Sequence, residues 1–95
     1  MPEVRLLGGL RDFIGESAVH SDAPVVRALL EEISKRGGEA VATLLYDESG
    51  IDPNQDLRVL VNWRSVAFLA GLDTKLEAGD TVTLHLAGAR GYPGG

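Results

Sequence analysis

The chain has 95 residues, of which 44% are hydrophobic and 24% are charged, and its formal net charge is -5. This length suits one domain with a single core. The excess of acidic residues argues against a nucleic-acid partner. The lack of cysteine excludes disulfides, thiolate nucleophiles and cysteine-based metal sites. No apolar run approaches the length of about 20 residues that spans a bilayer, so we expect no membrane partner and a cytoplasmic location.

The first part of the chain predicts two strands that form a hairpin with a long connection. The segment VRLLG at 4–8 is mostly apolar and stops at a glycine pair, which is typical of a strand. The spacing of the next apolar residues predicts a short helical turn before Gly15. A second short strand fits 17–21, with Val19 and His20 on opposite faces.

The clearest predicted element is an amphipathic helix within SDAPVVRALLEEISKRGG. We expect Ser21 or Asp22 to cap it, Pro24 to lie in its first turn, and Gly37 or Gly38 to end it. The apolar stripe consists of Val25, Val26, Leu29, Leu30 and Ile33, and the solvent face of Glu31, Glu32, Lys35 and Arg36. Such a helix is long enough to cover one face of a sheet.

The segment EAVATLLY at 39–46 fits either a second short helix or a strand, because its periodicity does not separate the two. Its alanines and leucines favour the helix. The following DESGIDPNQD is acidic and rich in turn formers. Its spacing does not match an EF-hand, since no glutamate closes the loop, and it predicts a solvated loop.

The stretch LRVLVNWRSVAFL predicts a strand, a turn at Asn62–Trp63 and a short returning strand. Period-two alternation places Leu60 on the face opposite Leu57, Val59 and Val61. The side chains of Leu57, Val59 and Val61 are therefore expected in the core, while Leu60 is expected on the exposed side.

The polar segment GLDTKLEAGD predicts turns, with Gly71 and Gly79 at positions that need unusual backbone dihedrals. Its aspartate and threonine side chains resemble catalytic groups on a first reading. Such residues more often bond the local backbone in turns, and we interpret them in that way.

The final predicted strand, TVTLHL, alternates cleanly between apolar and polar residues. Its inward residues are Val82, Leu84 and Leu86, and its outward residues are Thr81, Thr83 and His85. The whole order of elements predicts an α+β fold, a mixed sheet of about five strands with one main helix packed across one face. This arrangement is a β-grasp, ubiquitin-like fold, with a domain at 1–86 and a flexible tail at 87–95 ending in Gly-Gly.

Four stretches together carry a family resemblance over nearly the whole chain: VRLLGGLRDFIG, VVRALLEEI, LRVLVNWRSVAFLAGLDTKLEAGDTVTL and the terminal GG. On these stretches the chain resembles the MoaD/ThiS group of ubiquitin-like sulfur carriers, which includes the small subunit of molybdopterin synthase and the small archaeal modifiers. The combination of GLDT, a following GD, a strand and a closing Gly-Gly is specific, whereas the dipeptide alone is weak.

The resemblance implies a carrier, or the small subunit of a synthase, rather than an enzyme in itself. A partner of the ubiquitin-activating type would use ATP and magnesium to adenylate the carboxylate of Gly95, and a sulfur donor would convert it to a thiocarboxylate. The residues are compatible with this, because Gly94 and Gly95 lack a Cβ and can thread a narrow channel. This chain itself has no phosphate-binding motif, so we expect it to bind no cofactor.

The chain departs from its relatives at two places. Trp63 stands where many relatives have the glycine of an Asn-Gly turn, which suggests a different turn or an exposed aromatic that contacts a partner. The tail contains Arg90, Tyr92 and Pro93 before the glycines; Pro93 restricts Tyr92 to extended geometry. We expect these three residues to contact the partner's channel, the alternative being a tail with incidental side chains.

A second partner-binding surface is expected at Leu60 and His85, which would share the exposed side of the sheet near the start of the tail. The alternative is that Leu60 is covered by a loop or exposed alone. His85 and His20 are far apart in sequence and have no second ligand at helical or hairpin spacing, so no metal site is expected.

The sequence is therefore compatible with three functions. The first is sulfur transfer in cofactor biosynthesis, with molybdopterin or tungstopterin ahead of thiamine, cysteine or tRNA as the receiving pathway. The second is covalent modification of lysines through Gly95, and the third is a noncovalent ubiquitin-like interaction module.

Overall fold

The structure is a computed structural model that describes residues 1–86. Within these residues, strands and helices follow the order β1 (Glu3–Leu7), α1 (Gly9–Ile14), β2 (Ala18–His20), α2 (Val26–Leu45), β3 (Leu57–Val61), β4 (Arg64–Ser65) and β5 (Thr81–Leu86). Two 3₁₀ turns, Val66–Phe68 and Gly71–Asp73, connect β4 to β5. The predicted tail at 87–95 lies outside the described residues.

The five strands form one mixed sheet in the order β2-β1-β5-β3-β4. The first and last strands, β1 and β5, are parallel neighbours at its centre, and the other pairs are antiparallel. The predicted hairpin of β1 and β2 is confirmed, with α1 as its connection. The predicted β-grasp architecture, a five-strand mixed sheet with one main helix, is confirmed.

The core lies between α2 and one face of the sheet, which we call the covered face. It is aliphatic because every second residue of the long strands and one stripe of the helix are apolar. Its residues from the sheet are Val4, Leu6, Val19, Leu57, Val59, Val61, Val82 and Leu84, and those from α2 are Val26, Leu29, Leu30, Ile33, Val41 and Leu45. The predicted stripe of the helix is confirmed from Val26 onward, while Val25 is only half-buried.

The predicted cap of α2 is wrong. The helix begins at Val26, and its N-cap residue, Val25, makes no side-chain capping bond. The backbone N–H of Val26 instead donates to the carbonyl of Thr74 at 3.0 Å, so a distant backbone acceptor replaces a local side chain. Pro24 consequently precedes the helix. The Ser21 hydroxyl does not cap it and donates instead to the Glu32 carboxylate at 2.7 Å. Glu32 is half-buried as a result and does not lie on the solvent face.

The predicted second helix is confirmed, as a continuation of α2. Gly38 has a φ of 77° and a ψ of -164° inside the helix, which breaks it where an end was predicted. Gly37 is required for another reason, because a Cβ there would lie 2.2 Å from Val41 Cγ2 and 2.9 Å from Ile14 Cδ1. The absence of a side chain at Gly37 lets α1 approach α2 closely.

The 71–80 segment uses its polar side chains for turns, as predicted. The Thr74 hydroxyl donates to the carbonyl of Gly71 at 2.7 Å and accepts a backbone N–H at 3.1 Å, while the Asp80 carboxylate accepts the N–H of Glu77 at 2.7 Å. Gly71 has the expected positive φ, 60°. Gly79 does not, and that expectation is wrong because the Asp80 side chain closes this turn without a left-handed residue.

Candidate functional site

The face of the sheet opposite α2, which we call the open face, presents the alternate residues of the same strands. The registers Arg5↔Ala18, Arg5↔Thr83 and Leu60↔Thr83 define one row of side chains that crosses four strands. The other residues of this face follow from the same alternation. They are Glu3, Leu7, His20, Arg58, Ser65, Thr81 and His85.

Leu60 and His85 lie on this open face together, as predicted from the alternation of their strands. Leu60 is opposite Thr83, and His85 is opposite Arg58, so the two are diagonal neighbours on adjacent strands. His85 is exposed and Leu60 is half-buried. The placement of the pair is therefore confirmed, and its contact with a partner stays a prediction.

Trp63 occupies a turn that its side chain does not favour. Residues 62 and 63 connect the paired residues Val61 and Arg64, and both have positive φ, 52° for Asn62 and 69° for Trp63. Two left-handed residues in a two-residue hairpin loop are the signature of the turn that Asn-Gly usually makes. The expectation of a different turn is wrong, whereas the exposed aromatic is confirmed, since 61% of Trp63 is accessible.

The turn is possible because Asn62 anchors it. Its backbone N–H donates to the carbonyl of Thr81 at 2.7 Å, its side-chain amide donates to Asp80 at 2.9 Å, and its side-chain oxygen accepts the N–H of Thr81 at 3.0 Å. Asparagine tolerates the left-handed region better than most residues do. These bonds hold the loop in place, and Trp63 adopts positive φ as a consequence.

Thr83 departs from the prediction that it faces solvent. It lies on the open face, yet only 1% of it is exposed, and its hydroxyl has no hydrogen-bond partner among the described residues. β5 lies at the centre of the sheet, and Thr83 is opposite Arg5 of β1 on one side and Leu60 of β3 on the other. Alternation within one strand cannot reveal this burial, because these neighbours belong to other strands.

A depression of about 310 Å³ lies on the open face beside Thr83. Its lining residues are Arg5, Leu7, Ser17, Ala18, Trp63 and Thr83. Trp63 was expected to contact a partner, whereas the remaining five are additions from the structure. The alternation of EVRLL already places Arg5 and Leu7 opposite Val4 and Leu6, but only the strand order brings them beside β5 and the Trp63 turn.

The described arginines fall into two groups. Arg11, Arg27 and Arg36, on the helices, each have a carboxylate oxygen within 4 Å, at 3.9, 3.2 and 3.6 Å. The three on strands, Arg5, Arg58 and Arg64, have no such ion pair within residues 1–86. The described strands therefore carry three arginines without an ion pair, although the chain as a whole carries -5.

A larger depression, of about 1030 Å³, lies between the end of α2 and the acidic loop. Tyr46 forms part of its lining, and burial raises the pKa of the Tyr46 phenol above the usual 10.0, with Glu31 adding to the rise and Arg27 opposing it. No group of three metal-ligating side chains occurs in the described part of the chain. Over the same part, no helix is long and apolar enough to cross a bilayer.

The remaining predicted site residues lie outside the described range. They are Arg90, Tyr92, Pro93, Gly94 and Gly95. The last described residue, Leu86, ends β5 opposite Leu57 and packs against the core. The described chain therefore ends with the central strand, one residue after His85.

A protein-family model, the ThiS family, matches residues 4–84. Similar solved structures include a chain of the Amycolatopsis orientalis BexX/CysO complex, with 26% identity over 92% of this chain and 96% of that chain and a TM-score of 0.77. They also include "Putative molybdopterin converting factor, subunit 1" from Pyrococcus furiosus, with 29% identity over 86% and 91% of the two chains and a TM-score of 0.64.

Mycobacterium tuberculosis CysO shares the fold, with a TM-score of 0.78 over 92% of this chain and 99% of that chain at 23% identity. A search of curated proteins gave no match. The family match covers both helices and every strand, except for the first residue of β1 and the last two residues of β5.

Proposed function

This chain belongs to the ThiS family, and from that premise we propose that it is a sulfur carrier whose Gly95 is adenylated and converted to a thiocarboxylate. Small ubiquitin-like proteins of this family are carriers and not catalysts. The observation that carries the proposal is the family match over 4–84, followed in the sequence by a tail that closes on Gly94 and Gly95.

The proposed chemistry follows from the low reactivity of a carboxylate toward nucleophiles. An oxygen of the Gly95 carboxylate attacks the α-phosphate of ATP, and pyrophosphate leaves. A sulfur nucleophile of the donor then attacks the acyl carbon, and AMP departs with the electrons of the broken C–O bond. If the nucleophile is hydrosulfide, the product is the terminal thiocarboxylate itself. If the nucleophile is a persulfide, the product is an acyl disulfide, and a thiol then attacks the donor sulfur, which releases the thiocarboxylate and leaves the thiol and the donor joined as a disulfide. ATP and magnesium belong to the activating enzyme, and the chain supplies the acyl group.

The proposed partners are an adenylating enzyme of the ubiquitin-activating type, a sulfur donor and a large synthase subunit. The relatives support partnership in general, since the Amycolatopsis orientalis structure is a complex and the Pyrococcus furiosus protein is named as a subunit. The latter name also makes molybdopterin or tungstopterin biosynthesis the pathway that we propose first. In this proposal Leu60, Trp63 and His85 contact the partner's surface, and Arg90, Tyr92 and Pro93 contact its channel.

Mass spectrometry of the intact protein tests this proposal. The chain is co-expressed with its activating enzyme, in the presence of a sulfur source, beside a matched variant that lacks Gly94 and Gly95. We expect the full chain to exchange one terminal oxygen for sulfur and the truncated chain to remain unmodified. Persistent absence of the sulfur-bearing species from the full chain contradicts the proposal.

The same samples separate the two other functions. Isopeptides that join Gly95 to lysines of other proteins would identify a modifier, and removal of the last glycine would abolish them. Lys35 and Lys75 are the lysines of this chain, so chains linked to themselves would have two side-chain attachment points. A truncated variant that fully replaces the original chain in the cell would identify a noncovalent interaction module.

A further inference from the structure

The depression on the open face combines features that the fold itself does not need. It contains Arg5, which has no ion pair within residues 1–86, the buried Thr83 hydroxyl, which has no hydrogen bond within the same residues, and an exposed tryptophan at positive φ. Because each of these lowers the stability of the isolated chain, or adds nothing to it, their convergence on one small cavity suggests a ligand.

We propose that this depression is a recognition pocket for an acidic, partly apolar segment of a partner protein. A carboxylate of that segment binds the Arg5 guanidinium and accepts a hydrogen bond from the Thr83 hydroxyl. The apolar neighbour of the carboxylate packs between Trp63 and Leu7. The inference rests on the proposed function only in taking the partner to be a protein.

Charge complementarity identifies the occupant as acidic. Among the described residues of the open face, Arg5 and Arg58 face a single carboxylate, that of Glu3. A guanidinium binds a carboxylate through two parallel hydrogen bonds, which are stronger than bonds between neutral groups. No carboxylate oxygen of the described residues lies within 4 Å of Arg5, so its side chain is available for such a pair.

The Thr83 hydroxyl marks the floor of the pocket. A buried polar group without a partner lowers the stability of the folded chain, and such groups in native structures call for an explanation. Arg5 is opposite Thr83 on the neighbouring strand, so the two side chains are adjacent on the same face. Because the Thr83 hydroxyl is buried, its neighbours must move when the ligand binds, and the hydroxyl then donates to the same carboxylate.

Trp63 provides the apolar wall. Its φ of 69° is strained in a residue other than glycine, and such strain clusters at functional positions. The turn holds the exposed indole at the edge of the pocket across from Leu7, which is 40% exposed. Tryptophan and arginine are also the residues most enriched at interaction hot spots.

The size and the overall charge favour a peptide segment over other anions. A volume of about 310 Å³ accommodates one or two side chains. A nucleic acid would experience repulsion from a chain of net charge -5. A carboxylate flanked by apolar side chains matches both the positive charge and the apolar wall.

A titration of the isotope-labelled full chain tests the inference without ATP or an activating enzyme. The probe is a capped peptide containing Phe-Asp-Leu, and its matched control contains Phe-Asn-Leu. We expect amide and indole shifts centred on Arg5, Leu7, Ala18, Trp63 and Thr83. We expect the affinity to be about tenfold lower for the asparagine peptide, because a hydrogen bond to a charged group is worth about 1.5–3 kcal/mol.

Substitutions assign the effect to the pocket. Arg5→Gln is expected to lower the affinity for the aspartate peptide about tenfold, on the same energetic grounds. Arg36→Gln changes the net charge equally on α2, which packs against the covered face, and is expected to leave the affinity nearly unchanged. Thr83→Val is expected to weaken binding a few-fold, whereas Tyr46→Phe removes the other unpartnered buried hydroxyl and is expected to have no effect.

Several results would overturn the inference. These are equal affinity for the two peptides, equal effects of Arg5→Gln and Arg36→Gln, shifts centred elsewhere, and no saturable shift up to about 10 mM peptide. Equal competition by inorganic phosphate would identify a small-anion site instead. Since thiocarboxylate formation is not involved, failure here leaves the sulfur-carrier proposal standing, and failure of that proposal leaves this result standing.

Discussion

The two faces of the sheet are made by the same strands and differ in almost every property. The covered face is aliphatic, and Val4, Leu6, Val82 and Leu84 in its central strands are fully buried under α2. Within residues 1–86, the open face carries arginines without an ion pair, a buried hydroxyl without a hydrogen bond and, at its edge, Trp63 in a strained turn. The contrast indicates that the covered face provides the stability of the domain, while the open face retains features that reduce stability and suit recognition.

The largest expected effect distinguishes two leucines on adjacent strands. Leu84→Ala removes a fully buried side chain from the covered face and is expected to lower the free energy of unfolding by about 3 kcal/mol. Leu60→Ala, on the open face, is expected to lower it by about 1 kcal/mol or less, because Leu60 is half-buried. Urea denaturation measures both. Equal losses would contradict the contrast between the faces.

Two buried threonines provide the next test. Thr83→Val removes a hydroxyl without a partner and is expected to raise the free energy of unfolding by about 1 kcal/mol. Thr74→Val removes a hydroxyl that makes two hydrogen bonds and is expected to lower it by about 1–2 kcal/mol. Thermal and urea unfolding of the pair check the signs. A loss of stability in Thr83→Val would show that its hydroxyl is satisfied in the folded chain.

The turn of the β3–β4 hairpin gives a third comparison. Trp63→Gly is expected to raise the free energy of unfolding by about 1 kcal/mol, because glycine adopts positive φ without strain. Asn62→Gly also relieves a positive φ but removes the side-chain bonds to Asp80 and Thr81, and a net loss is expected. If Trp63→Gly is destabilised as well, the indole contributes packing that outweighs the strain.

The smallest expected effect concerns Tyr46, which belongs to neither face. Its contribution to the free energy of unfolding depends on pH. Burial raises the pKa of its phenol above 10.0, so the unfolded chain loses this proton at lower pH than the folded chain does. The contribution of Tyr46 to stability is complete below pH 10 and is lost as the pH rises from 10 through the folded-state pKa. Urea titrations across this range should show a smaller decline in Tyr46→Phe than in the original chain.

Sequence reasoning predicted the elements whose signals are local. The alternation in β3 and β5 and the stripe of α2 each depend on neighbours within a few residues, and the structure confirms them. The predicted end of the first helical segment at Gly37 or Gly38 also depends on a local signal and is confirmed at Gly38, since glycine adopts positive φ readily.

The predictions that were wrong concern contacts between residues far apart in the chain. Thr74 supplies the acceptor that caps α2, and no pattern near Val26 could indicate it. Trp63 keeps a turn that its own side chain disfavours, because Asn62 bonds to Thr81 and Asp80 across the sheet. Sequence-based reasoning assigns preferences to residues one at a time, whereas these contacts override such preferences.

By itself, the sequence determined the fold class, the covered face and the family. The fold class and the covered face depend on periodicity, because burial of alternate strand residues against one helical stripe is the arrangement that removes most apolar surface from water. The family rests instead on the stretches that resemble its members. The tertiary structure alone decided the chemistry of the open face. Arg5 and Thr83 are 78 positions apart by their numbers, and they become neighbours only because β1 and β5 pair in parallel at the centre of the sheet.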